Sequence, residues 1–215
     1  MPVLRNINGI SYALNMSGNV QDAINSYKGR DNGQATTAGT EDEDAYHAAQ
    51  ASYGVEASRK KLIEKGYVED SELSNDRHKV YAHKDKNTLV GYRGTRTSDG
   101  QDLVDDINLA IGNRKTKGFK DATEIAQKAK TKYGKDLVHA GHSLGGTKAL
   151  EAQKSTGGRT VAFNPGQSIF GEKTDQRVYV NRNDIISSRI RGKNTRATKK
   201  QRKGVFGSHD LSQFE

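Results

Sequence analysis

DLVHAGHSLGGTKALEAQKST, residues 136–156, is the stretch that decides the fold. DLVHA is short, apolar and bounded by turn residues, as a buried strand is. TKALEAQKST carries helix formers throughout. Between them lies Gly141-His142-Ser143-Leu144-Gly145, a G-x-S-x-G motif with an extra Gly146. A serine on a sharp strand-to-helix turn needs small residues two before and two after it, so that strand and helix can pack closely. Such a turn lifts the hydroxyl above the sheet edge and aims a helix N-terminus at it, and the free N–H groups and positive dipole end there suit an oxyanion. In isolation the motif also reads as an ordinary Gly-rich strand–helix turn. The strand before it and the helix after it favour a nucleophile elbow.

Working outward, FKDATEIAQKAKTKY (119–133) predicts a helix with Ile125 and Ala129 at i, i+4 and Gly134 as its C-cap. KVYAHKDKNTLVGYRG (79–94) alternates around Asp85, Lys86 and Asn87 and predicts a hairpin, with Val80 and Ala82 on one face of its first strand and Leu89 and Gly91 on one face of its second. AYHAAQASYGVEASRKKLIEKGY (45–67) reads as helix, with its alanines and Tyr46, Tyr53, Leu62 and Ile63 as the buried side. RTVAFNP (159–165) and RVYVNRND (177–184) read as strands, Val178 and Val180 sharing a face. From the second hairpin strand onward the order is strand, helix, strand, helix, strand, strand, which predicts an α/β layered sheet in a single domain.

The 215 residues suit one domain of ordinary size, able to bury enough surface to need no staple. Hydrophobic residues make up only 32% and mean hydropathy is −0.89, so much of the chain is surface, loop or tail. Residues 1–43 are polar and read as an N-terminal extension, with GRDNGQATTAGTEDED expected to be flexible and 11–28 a short helix; 44–215 form the domain. The chain has no cysteine, which excludes a cysteine nucleophile and thiolate metal sites, and its six histidines include no H-x-x-x-H pair. No metal or cofactor is expected. No apolar run is long enough to span a membrane and the N-terminus lacks the form of a secretory signal, so the expectation is a cytoplasmic or particle-associated protein.

The net charge of +9 is local. Residues 189–203 hold Arg189, Arg191, Lys193, Arg196, Lys199, Lys200, Arg202 and Lys203 with no acid, and without these eight the charge falls to +1. This basic loop suits a polyanion, either an anionic membrane or nucleic acid, or it is simply a solvated loop.

A serine hydroxyl needs a general base. In the elbow constellation the chain order runs Ser, then Asp or Glu, then His. Of the six histidines only His209 follows Ser143. The acid then comes from Glu151, Glu172, Asp175 or Asp184. Glu151 sits in the helix after the elbow, and Glu172 and Asp175 lie at the wrong end of the last strand. Asp184 falls at that strand's carboxyl end, where open α/β sheets build their sites. One oxyanion donor is the N–H of Leu144; a second would come from Tyr92-Arg93-Gly94-Thr95, which otherwise reads as a plain strand-terminal turn.

YRGT (92–95), GHSLGG (141–146), ND (183–184) and GSH (207–209) together resemble the class 3, fungal-type lipases of the α/β-hydrolase fold, in order and spacing over residues 44–215. AYHAAQASYG and KGF (117–119) resemble the family's leading helix and pre-elbow segment. The resemblance implies a mostly parallel sheet with flanking helices, and hydrolysis of carboxylic esters through an acyl-serine. It implies Ser143 as nucleophile, Asp184 as acid, His209 as base, and Thr95 with Leu144 as oxyanion donors. Two features depart from the family: Asp102-Leu103 stands where it often has Asp-Trp, and RTSDGQD (96–102) offers no apolar lid. The expectation is therefore a phospholipase or esterase acting on lipid or acyl esters, without activation at an oil surface. A basic structural or nucleic-acid-associated protein on the same fold, such as a virion component, is the competing reading.

Overall fold

The computed structural model describes residues 36–95, 117–134, 136–166, 172–181, 183–184, 186–187, 190–198 and 207–215. Two helices open it, α1 (Glu43–Ser52) and α2 (Glu56–Glu64). A two-residue strand β1 (Val68–Glu69) follows, then the hairpin β2 (His78–Ala82) and β3 (Thr88–Tyr92). Next come α3 (Lys117–Tyr133), β4 (Leu137–His142), α4 (Leu144–Thr156) and β5 (Arg159–Phe163). Four further strands are β6 (Glu172–Lys173), β7 (Arg177–Asn181), β8 (Ile190–Arg191) and β9 (Thr195–Thr198). Two 3-10 turns, Gly207–His209 and Leu211–Phe214, complete the described chain.

Seven strands form one sheet in the order β1-β2-β3-β4-β5-β7-β9, while β6 and β8 pair separately. The β1–β2 and β2–β3 pairs are antiparallel; every pair from β3 to β9 is parallel. This is a single-domain α/β-hydrolase-like architecture. Strand alternation divides its core. On one face Tyr81, Leu89, Val138, Ala140, Val161, Phe163 and Tyr179 pack on the alanines and Tyr46 of α1. On the other, Val80, Val90, Tyr92 and Leu137 pack on Ala122, Ala126 and Ala129 of α3 and on Ala149 and Ala152 of α4. Val178 and Val180 share that second face near the β9 edge, with Leu150, Ala162 and Ala197.

The segment expected as one helix over 45–67 is two. α1 stops at Ser52, and Gly54 takes φ +83°, a left-handed conformation that ends the helix. The break turns α2 outward: Leu62 is buried, but Ile63, expected to be buried, is 46% exposed. Part of the basic stretch is strand, since β8 and β9 lie within it. Arg196 faces out from β9 and Lys193 is exposed; the side chains of the other six basic residues lie outside the described residues. The proposed 11–28 helix, the polar 96–102 segment and Asp102-Leu103 also lie outside them.

The described residues just before α1 are tied to the last 3-10 turn and to the sheet. Both the N–H and the hydroxyl of Thr37 donate to the Phe214 carbonyl at 2.8 Å. Buried Asp42 accepts from Arg159 Nη1 at 2.6 Å and from Tyr179 Oη at 2.9 Å. Phe214 is fully buried against Phe163 and Tyr179, so the C-terminal turns are moored to the same region. Registers align the carboxyl ends of the central strands: Tyr92 opposite Gly141, His142 opposite Phe163, and Phe163 opposite Tyr179. The residues that follow those ends therefore meet along one edge.

Candidate active site

β4 leads directly into Ser143, whose φ of +57° and ψ of −129° lie outside the favoured regions for an L-residue. Such a conformation costs on the order of 1–3 kcal/mol and persists only where surrounding contacts impose it. Here they do. The Ser143 N–H donates to Phe163 O at 3.0 Å, and its carbonyl accepts from Gly166 N–H at 3.2 Å. A Cβ on Gly141 would lie 2.3 Å from Gly145 O, and one on Gly145 would lie 2.1 Å from Tyr92 O. The elbow thus presses its backbone against the end of β3. Leu144 opens α4, so its N–H is among the first-turn donors without an intrahelical acceptor.

The loop after β3 sits against the elbow. A Cβ on Gly94 would fall 2.5 Å from Tyr53 Oη and 2.6 Å from His142 O, which only glycine avoids. The Gly94 N–H donates to Tyr53 Oη at 3.1 Å. Thr95 follows, half-buried. Tyr53, the residue that ends α1, also places its hydroxyl 3.1 Å from His142 Nδ1. His142 Nε2 faces the carbonyl of His209, an acceptor, so the ring proton is on Nε2 and Nδ1 accepts from the tyrosine. Burial, and then the nearby His209, push the His142 imidazole down to about 3, so it stays neutral.

Asp184 and His209 are brought together. His209 Nδ1 donates to Asp184 Oδ2 at 2.8 Å, and both side chains are buried. The carboxylate is oriented by further donors: Ile186 N–H at 3.0 Å, Ser187 N–H at 3.2 Å, and the Ser187 hydroxyl. In the neutral imidazole, a proton on Nδ1 leaves Nε2 of His209 as an acceptor. That nitrogen and Ser143 Oγ are both buried and neither has a hydrogen-bond partner. The arrangement can therefore accept a proton at one atom and offer a hydroxyl at the other. Among the described residues, no cluster of His, Cys, Asp and Glu could hold a metal ion, and no helix is long and apolar enough to cross a membrane.

Three contributors carried no sequence signal. Tyr53 appears in the sequence only as a packing residue, yet its hydroxyl joins the Gly94 loop to His142. Asn164, fully buried after β5, and Ser187, beside Asp184, have no motif around them.

Residues 38–167 match the model of a phospholipase-like family, described as the Tle-like phospholipase domain. Over 85 residues, 40% of this chain, the sequence is 36% identical to the extracellular phospholipase A1 of Serratia liquefaciens. The aligned stretch is 25% of that protein's length. The family match includes Tyr53, Thr95, Ser143 and Leu144 and ends before Asp184 and His209.

Proposed function

Because the chain belongs to the Tle-like phospholipase domain family, we propose that it is a serine hydrolase of lipid carboxylic esters, acting on phospholipids through an acyl-serine intermediate. The observation that carries this reading is the elbow serine at φ +57° together with an Asp–His pair at 2.8 Å whose Nε2 is left unbonded. Within the wider lipase and phospholipase group, the motifs YRGT, GHSLGG, ND and GSH favour the class 3 branch.

Ser143 Oγ attacks the ester carbonyl while His209 Nε2 takes its proton. Asp184 holds Nδ1–H and stabilises the imidazolium that forms. The negative charge on the carbonyl oxygen is met by the Leu144 N–H and by Thr95. His209 then protonates the departing alcohol as the C–O bond breaks, leaving the acyl-serine. Water, deprotonated by His209, attacks that ester; the free acid leaves and Ser143 regains its proton. An unmade Ser143–His209 hydrogen bond suits a resting site, since such contacts often tighten only with substrate bound.

Exposed Lys193 and Arg196 would meet anionic headgroups; Lys193 precedes β9 beside the amino end of β7, where Asn194 Nδ2 donates to Asp175 O, so this contact would lie away from the carboxyl edge that carries Ser143. A nucleic-acid-binding or particle-structural role draws no support from the family match.

The test is hydrolysis of p-nitrophenyl esters and phospholipid vesicles by variants. Ser143→Ala and His209→Ala should each lower kcat by on the order of 10⁵–10⁶. Asp184→Asn should lower it by on the order of 10⁴. Full turnover in any one of them removes that residue from the mechanism.

A further inference from the structure

Three consecutive carbonyls in the turn that carries His209 each accept a hydrogen bond from a different side chain. Gln213 Nε2 donates to Gly207 O at 2.7 Å. Asn164 Nδ2 donates to Ser208 O at 3.2 Å. His142 Nε2 donates to His209 O. The donors come from three places: the last 3-10 turn, the residue after β5, and the end of β4. Gln213 is itself joined to β7, because Asn181 Nδ2 donates to its Oε1. A three-residue 3-10 turn supplies almost no internal hydrogen bonding. The orientation of this turn is therefore imposed by the ends of three sheet strands.

Asn164 does more than the other two. Its Oδ1 accepts the Asn181 N–H at 2.7 Å and lies 3.2 Å from Ser187 Oγ, whose hydroxyl also reaches Asp184 Oδ2. One amide thus touches both the histidine turn and the acid loop. It does so from a left-handed backbone, φ +39°, which Asn tolerates better than most residues. A leucine has no donor for Ser208 O, and an aspartate would set a carboxylate oxygen against that carbonyl.

We propose that Asn164, His142 and Gln213 are positioning residues that clamp the His209 turn, with Asn164 coupling that turn to the Asp184 loop so that the imidazole stays on the carboxylate and faces Ser143. The proposal rests on the reading of Ser143, His209 and Asp184 as one hydrolytic unit. None of the three clamp residues hydrogen-bonds to Ser143 Oγ or His209 Nε2, although the His142 ring lies against that of His209, centroids 4.8 Å apart. They act by holding the backbone from which His209 projects, and a misplacement of about 1 Å in such a group costs on the order of 10²-fold in rate.

The experiment compares the wild type with Asn164→Gly, which accepts positive φ and removes the amide, and with Gln213→Glu, which keeps the shape and removes one donor. Two readouts are taken on protein that melts cooperatively. The first is the downfield proton resonance of His209 Nδ1–H in its bond to Asp184, which needs no turnover. The second is kcat and KM on a soluble p-nitrophenyl ester. In Asn164→Gly the resonance should broaden or vanish, and kcat should fall by on the order of 10²-fold with KM within about twofold. Gln213→Glu should show the same pattern on a smaller scale and serves if the glycine variant does not fold. An unchanged resonance and unchanged kcat in a folded variant overturn the clamp while leaving the hydrolytic unit standing. A wild type without esterase activity overturns the hydrolytic unit instead; the resonance then still decides whether Asn164 holds His209 to Asp184.

Discussion

Tyr53→Phe removes one oxygen atom and keeps the ring. That oxygen accepts the Gly94 N–H at 3.1 Å and lies 3.1 Å from His142 Nδ1. Gly94 is buried, so losing its acceptor leaves an unpaired N–H that costs about 1–3 kcal/mol. The loop relieves this by shifting, and Thr95 shifts with it. Complete loss of one oxyanion donor costs on the order of 10²–10³ in kcat. A displaced donor should cost less, on the order of 10–10²-fold, because the group is still present but no longer aimed. Steady-state kinetics on p-nitrophenyl butyrate should show kcat falling with KM nearly constant, since the contact matters only once charge has developed on the carbonyl oxygen. The melting temperature should fall by a few degrees, at about 2–4 °C per kcal/mol for a domain of this size. A stability loss with unchanged kcat would mean that the Tyr53 hydroxyl serves packing alone, and the link from the Gly94 loop through His142 to His209 would have no catalytic meaning.

Two further outcomes follow from buried and exposed charge. His78 is 2% exposed with neither ring nitrogen hydrogen-bonded, and burial, then Lys148 and Arg77, outweigh Asp121 and Asp76 to push it down to about 4. Below its ordinary value of about 6.5 the unfolded chain takes up a proton that the folded chain refuses until about pH 4, so this stability is present above pH 6.5 and lost as pH falls. Between pH 7 and pH 5 the loss is about 2 kcal/mol, and urea melts of His78→Leu should show a pH dependence shallower by that amount; parallel curves would contradict the buried neutral imidazole. Lys193→Gln with Arg196→Gln should weaken binding to anionic vesicles at low salt by on the order of 10–30-fold, from about 1 kcal/mol per charge, and leave cleavage of a soluble ester nearly unchanged; equal losses on both substrates would make these residues structural.

The strand–elbow–helix unit was legible because its determinants are local. Gly141, Gly145 and Gly146 lie within three residues of Ser143; a Cβ on either of the first two would strike backbone, and one on Gly146 would strike Pro165. Chain order and strand polarity were enough to bring attention to Asp184 and His209, which lie 2.8 Å apart although 25 residues separate them. Other features have causes that no short window contains. Asp42 sits in an acidic run that reads as linker, and its partners Arg159 and Tyr179 are more than a hundred residues away. Asn164 donates to a carbonyl 44 residues on, and His142 to one 67 residues on; a side chain aimed at a backbone carbonyl leaves no trace in spacing. Gly54 was hidden because the alanine-rich run before it and the Lys- and Glu-rich run after it both favour helix. β9 was hidden because Thr-Arg-Ala-Thr carries too little apolar content to stand out from the basic residues around it.

Everything proposed for this site requires Ser143 to be an activated nucleophile. Fluorophosphonate labelling followed by peptide mass mapping tests it directly, because the probe reacts with a serine only where a base has made it nucleophilic. One adduct should form, on Ser143, rapidly in the wild type and far more slowly in His209→Ala. An unlabelled Ser143 in folded protein, or labelling at the same rate without His209, would contradict it.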